Sequence, residues 1–197
     1  MKSAATTTPR RQPPVPARWR GEIGRVLISE RRIARRVREI CREIQRDFEG
    51  REMVVVSLLS GTVMFLADLM RGLTLPMRVD FIGVSSYGAG VTPGELVFTK
   101  ELRLDVRGRD VLLVDDILDT GRTLAKVLVK LRALKPRRIK VCVLLDKAAR
   151  RVEPVRAHYA GFEIPDYFVV GYGMDFGERY RNLPFIGVLK DEVSSKP

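Results

Sequence analysis

Residues 111–124 read VLLVDDILDTGRTL, and this stretch decides the fold. Val111, Leu112, Leu113 and Val114 form a strand-sized run without polar alternation, which suits a strand covered on both faces. Asp115 and Asp116 then set two carboxylates at the carboxyl end of that run, and Asp119 adds a third. Adjacent carboxylates repel, and desolvating them costs free energy unless a partner offsets the charge. Past them, Asp119, Thr120, Gly121, Arg122 and Thr123 form a loop ahead of a helix expected over 123–134. The first amides of a helix lack intrahelical partners and carry the positive end of its dipole. Gly121 lets the backbone approach a ligand closely, and two hydroxyls add donors. The loop therefore reads as a cradle for a monophosphate. It is not a P-loop, since GxxxxGK[ST] is absent.

The flanking segments supply the architecture. Ile33, Val37, Ile40, Ile44 and Phe48 recur at the period of one helical face, after an N-cap at Ser29 and before a stop at Gly50. The five arginines from Arg31 to Arg38 lie mostly off that stripe and read as a solvated face. An apolar strand over 53–59 is broken by Ser60, Gly61 and Thr62. A helix over 64–73, a strand over 78–85, a glycine-rich loop over 88–98 and a strand over 110–114 follow. The helix of 123–134 leads to a strand over 138–145, and 168–171 forms a last short strand. Alternating strands and helices predict a mostly parallel α/β sheet with right-handed crossovers and helices on both faces. Ligands of such sheets sit beyond the carboxyl ends of the strands. That rim holds Ser60, Asp115 and Asp116.

Composition bounds the function. The chain has 197 residues, 45% apolar and 30% charged, the make-up of one globular domain. No apolar run approaches the ~20 residues that span a bilayer, and the N-terminus has no apolar signal core, so no membrane is expected and the cytoplasm is. Cys41 and Cys142 read as reduced core thiols. The single histidine, His158, lies in a polar connection and reads as solvated; no histidine-based nucleophile or zinc spacing is present. Residues 1–20 hold five basic residues and no acid, in a Thr- and Pro-rich tail expected to be disordered. Residues 21–190 form the domain, with a short tail over 191–197. The net charge of +12 is a weak argument for a nucleic-acid partner.

Carboxylates suit the vicinal hydroxyls of a sugar or a hydrated Mg²⁺, and the adjoining loop suits a 5′-phosphate. Together they describe a phosphorylated pentose. The same residues resemble the signature of the purine and pyrimidine phosphoribosyltransferases of type I fold, which bind phosphoribosyl pyrophosphate. LLSGTVMFLADLM (58–70), SSYG (85–88), LLDK (144–147) and GFEIPDYFVVGYGMDFGERYRNLP (161–184) narrow the resemblance to the hypoxanthine-guanine phosphoribosyltransferases, from residue 28 to 190.

The resemblance implies transfer of a ribose 5-phosphate to hypoxanthine or guanine, with Mg²⁺ as cofactor, in a homodimer or homotetramer with a small hood of N- and C-terminal segments. It assigns ribose hydroxyls and Mg²⁺ to Asp115 and Asp116. Asp119 becomes the base near purine N7, and residues 119–123 wrap the 5′-phosphate. Lys147 reads purine O6, Phe168 stacks on the base and the Val169 backbone meets the opposite edge. Asp175, counted with the purine-binding residues, ligates the Mg²⁺ that bridges pyrophosphate, and Arg181 pairs with pyrophosphate. Leu59, Ser60 and Gly61 form the pyrophosphate loop with a cis peptide before Ser60; many relatives have Lys or Arg at that position. Ser86 and Tyr87 open a lid. Pyrimidine-operon attenuation regulators share the fold, but generally lack an aspartate at the place of Asp119 and lack the FVVGYGMD segment.

Overall fold

The computed structural model describes residues 13–85 and 97–195. Its centre is β5 (Asp110–Leu118), whose apolar residues from Val111 to Val114 are wholly buried. Leu112 and Val114 face one core, Val111 and Leu113 the other, as the two-residue period of a strand requires. Parallel neighbours flank it: β2 (Met53–Leu59) on one side and β6 (Arg138–Asp146) on the other. Outside these lie β3 (Met77–Ser85), with an antiparallel edge strand β4 (Val97–Lys100), and β7 (Tyr159–Glu163). The order is β4-β3-β2-β5-β6-β7.

Helices cover both faces. The stripe of α1 (Glu30–Asp47) and Phe65, Leu66 and Leu69 of α2 (Val63–Gly72) pack on the first core. Leu124, Val127, Leu128 and Leu131 of α3 (Arg122–Ala133) pack on the second. The hood is a separate antiparallel sheet in which β1 (Ile23–Ile28) and β8 (Val169–Val170) flank β9 (Ile186–Leu189). A single helical turn, α4 (Asp191–Ser194), closes the described chain.

The structure differs from the sequence reading in several places. The strand expected over 110–114 runs on to Leu118, because Asp115, Ile117 and Leu118 continue the parallel ladder with β6. The expected loop of 88–98 gives way to β4 at Val97, paired with β3. β1, β7 and β9 were not foreseen. Within the tail expected to be disordered, Ala17–Trp19 form a 3-10 turn, since the Trp19 ring packs edge-on against Tyr180 at 5.5 Å. His158 is exposed, yet its Nδ1 accepts the Val141 amide at 3.0 Å. Ser86 and Tyr87 lie outside the described residues. Among the described residues, no helix is long and apolar enough to cross a membrane.

Candidate active site

A cleft of about 370 Å³ opens at the carboxyl ends of β2 and β5, lined by Leu59, Gly61, Asp115, Asp116, Asp119, Thr120, Gly121 and Thr123 among others. Its floor is the carboxylate pair. Each aspartate accepts the amide of the next residue: Asp116 N–H donates to Asp115 Oδ1 at 3.0 Å, and Ile117 N–H to Asp116 Oδ1 at 2.7 Å. Burial, then the charge of Asp116, pushes the Asp115 carboxyl well above the usual carboxylate range. Burial raises Asp116 as well, against hydrogen bonds from Asp115 and the Ile117 amide and the positive charge of Arg181. No lysine or arginine among the described residues forms an ion pair with either aspartate. Two close, desolvated carboxylates favour a ligand that brings positive charge or hydroxyl donors.

The loop of residues 119–123 ends in a glycine-capped helix start. Gly121 caps α3 with φ of 83°, in the left-handed region that favours glycine. A side chain there would also press on Glu153 O at 3.2 Å. The first bond of the helical ladder runs from Ala125 N–H to Gly121 O at 2.8 Å, so the amides before it point out of the helix end. The following segment braces the loop from behind. Val152 and Glu153 amides donate to Thr120 O at 2.9 and 3.0 Å. Arg151 donates to Asp119 O at 3.0 Å and Leu118 O at 3.1 Å, and it pairs with Asp146.

The opposite wall is residues 59–62, and the peptide between Leu59 and Ser60 is cis. Buried hydroxyls lock this turn: Thr62 donates to Leu58 O, and Ser57 donates to Thr62 Oγ1 at 2.8 Å. Gly61 O meets Gly173 so closely that a Cβ on Gly173 would lie 2.1 Å from it. This contact seats the 171–181 loop against the turn. Within that loop Arg181 pairs with Asp175 at 3.0 Å and with Glu178 at 2.9 Å, and donates to Gly173 O at 3.0 Å. Asp175 Oδ2 accepts the Glu178 amide at 3.0 Å.

Lys147 is only 5% exposed, unlike a typical surface lysine, and its Nζ stands 3.6 Å from Asp166 Oδ1. Phe168 is 46% exposed and touches Phe176 edge-on at 5.3 Å, leaving ring surface open to solvent. Val169, beside it in β8, is buried. Asp119 Oδ1 is closed off from solvent and makes no hydrogen bond among the described residues. Arg150 Nε lies 3.2 Å from it, a contact between charges without the alignment of a hydrogen bond.

The chemistry of Asp115 and Asp116, hard oxygen donors with no cationic partner, fits Mg²⁺. Asp175 does not join them: no group of three or more His, Cys, Asp or Glu side chains is brought together among the described residues. This donor set suits an ion that draws its other ligands from substrate oxygens and water, the usual habit of Mg²⁺.

Arg150, Arg151, Asp146 and Asp166 were not singled out from sequence. The doublet Arg150-Arg151, three and four residues after Lys147, was the available signal.

A parallel sheet whose rim joins paired carboxylates to a glycine-capped helix end defines a phosphosugar- or nucleotide-binding α/β protein. Comparison with known proteins narrows the class. The phosphoribosyl transferase domain family matches residues 27–177. The hypoxanthine phosphoribosyltransferase of Salmonella typhimurium is 47% identical over 85% of this chain and 97% of its own. The bifunctional protein TilS/HprT of Listeria innocua is 45% identical over 89% of this chain, which spans only 27% of that protein's length. The crystal structure of a hypoxanthine phosphoribosyltransferase from Staphylococcus aureus aligns with a TM-score of 0.85 at 39% identity, covering 91% of this chain and 98% of that one. The chain belongs to the phosphoribosyltransferase family, in the branch that holds the hypoxanthine phosphoribosyltransferases.

Proposed function

We propose that this protein is a cytoplasmic, Mg²⁺-dependent purine salvage enzyme. It converts hypoxanthine or guanine and phosphoribosyl pyrophosphate into IMP or GMP and pyrophosphate, and it works as a homodimer or homotetramer. The observation that carries the reading is one cleft lined by the carboxylate pair and the 119–123 loop, with the buried Lys147 just past the end of the neighbouring strand β6, its amide on Leu118 O.

The residues divide the work. The amides and hydroxyls of 120–123 hold the 5′-phosphate at the helix end. Asp115 and Asp116 accept hydrogen bonds from the ribose hydroxyls, or would ligate Mg²⁺ beside them. Mg²⁺, when bound with the substrate, neutralises charge on the pyrophosphate. Backbone donors of Leu59, Ser60 and Gly61, with the Arg181 guanidinium, face the leaving group, whose charge grows as its bond to C1 breaks. A purine nitrogen forms the new bond to C1, the C1–O electron pair departs with pyrophosphate, and Asp119 accepts the ring proton at N7. Lys147 donates to O6, Phe168 stacks on the ring, and the Val169 backbone meets the far edge. Asp175, paired with Arg181, would hold Mg²⁺ on the pyrophosphate beside the purine. Ser86 and Tyr87 open the lid, which would keep water from the cation-like centre.

The test is a panel of bases. Protein with phosphoribosyl pyrophosphate and Mg²⁺ receives hypoxanthine, guanine, xanthine or adenine separately, and nucleotide is quantified by chromatography. The reading requires product from hypoxanthine and excludes adenine as a good substrate. No nucleotide from any 6-oxopurine would overturn it.

A further inference from the structure

Behind the base site runs a chain of alternating charge that the roles above leave unused. Asp166 Oδ1 is shared by Lys147 Nζ at 3.6 Å and an Arg150 terminal nitrogen at 3.3 Å, and Arg150 Nε in turn faces Asp119 Oδ1 at 3.2 Å. The backbone makes this possible. Ala148–Arg150 form a 3-10 turn, closed by Arg150 N–H donating to Lys147 O at 3.1 Å. Side chains three apart in such a turn eclipse, so Lys147 and Arg150 reach the same carboxylate.

Resting on the proposed purine transfer, we infer that Arg150 is a positioning residue for the purine. Bridged to Asp166, it holds the Asp119 carboxylate at the spacing from Lys147 that the N7 and O6 edge of a 6-oxopurine requires. Its neighbour Arg151 does a different job, binding the carbonyls of Leu118, Asp119 and Val155 and the Asp146 carboxylate. One arginine orients the Asp119 side chain; the other holds the backbone of the phosphate loop. Arg150 reaches no residue of the phosphate loop beyond Asp119 among its ion pairs and hydrogen bonds. Its loss therefore acts on the purine and spares the phosphosugar.

The experiment is steady-state kinetics of Arg150→Ala, Arg150→Lys and Asp166→Asn, each substrate varied with the other saturating. Since Arg150 is half exposed, the pair contributes modestly, and Arg150→Ala raises the hypoxanthine KM about fivefold. The KM for phosphoribosyl pyrophosphate stays unchanged, Arg150→Lys recovers most of the loss, and Asp166→Asn shifts the same constant in the same direction. An unchanged hypoxanthine KM in Arg150→Ala overturns the inference. So does a parallel rise in both KM values, which marks damage to the loop brace. Wild-type protein run alongside separates the two claims: its failure to make IMP sinks the proposed function rather than the role of Arg150.

Discussion

Asp116 Oδ2 occupies the space that a side chain at position 61 would need, since a Cβ built on Gly61 would fall 1.8 Å from it. The turn after β2 and the carboxylate of β5 thus approach by a route open only to glycine. Gly61→Ala is expected to push the Asp116 carboxylate or the turn aside by about an ångström or more. Misplacement on that scale can cost about 10²-fold in rate. Overpacking of this kind also destabilises by roughly 1–3 kcal/mol. Steady-state kinetics beside thermal melts would check both; near-normal turnover would mean that the approach is not used.

Asp119→Asn removes the proposed proton acceptor and preserves size. General-base loss is expected to lower kcat by roughly 10²–10⁴-fold. IMP affinity, measured by calorimetry, should fall far less. Equal losses in both would make Asp119 a binding residue instead.

Ser60 brings a hydroxyl and no side-chain cation to the turn proposed to hold pyrophosphate. Ser60→Lys is expected to lower the KM for phosphoribosyl pyrophosphate, up to about tenfold for one added charged hydrogen bond. An unchanged or higher KM would show that the backbone donors already satisfy the pyrophosphate.

Asp80 offers a test in pH. Burial would raise its carboxyl, but hydrogen bonds from the Leu104 and Arg103 amides, Lys100 and the Phe81 amide outweigh this and lower it to about 2. A depressed carboxylate contributes stability above its unfolded pKa near 4, and that stability is lost as pH falls toward 2. The shift corresponds to about 2 kcal/mol at neutral pH. Denaturant melts of Asp80→Asn should show that loss at pH 7 and a shallower decline between pH 4 and 2 than wild type.

The central strands were legible because burial on both faces leaves an unbroken apolar run, as at Val54 to Val56 and Val111 to Val114. The loop before α3 was legible because its signals are local: a glycine, two hydroxyls and a helix start lie within five residues. The hood was harder. Ile23, Val26 and Ile28 are buried, but Gly24 and Arg25 between them blur the period, and β1 finds its partner β9 far along the chain. β7 is short and only partly buried at the sheet edge. The Arg150-Arg151 doublet is visible in sequence, but what Arg150 does depends on Asp119 and Asp166, which only folding brings to it.

The central claim is a bond exchange at C1 of the ribose. Its most direct test is a timed incubation with hypoxanthine, phosphoribosyl pyrophosphate and Mg²⁺, measuring hypoxanthine consumed, IMP formed and pyrophosphate released in the same samples. The account requires the three to match mole for mole and to fall together when Mg²⁺ is chelated. Pyrophosphate released without IMP, or hypoxanthine left untouched, would contradict it.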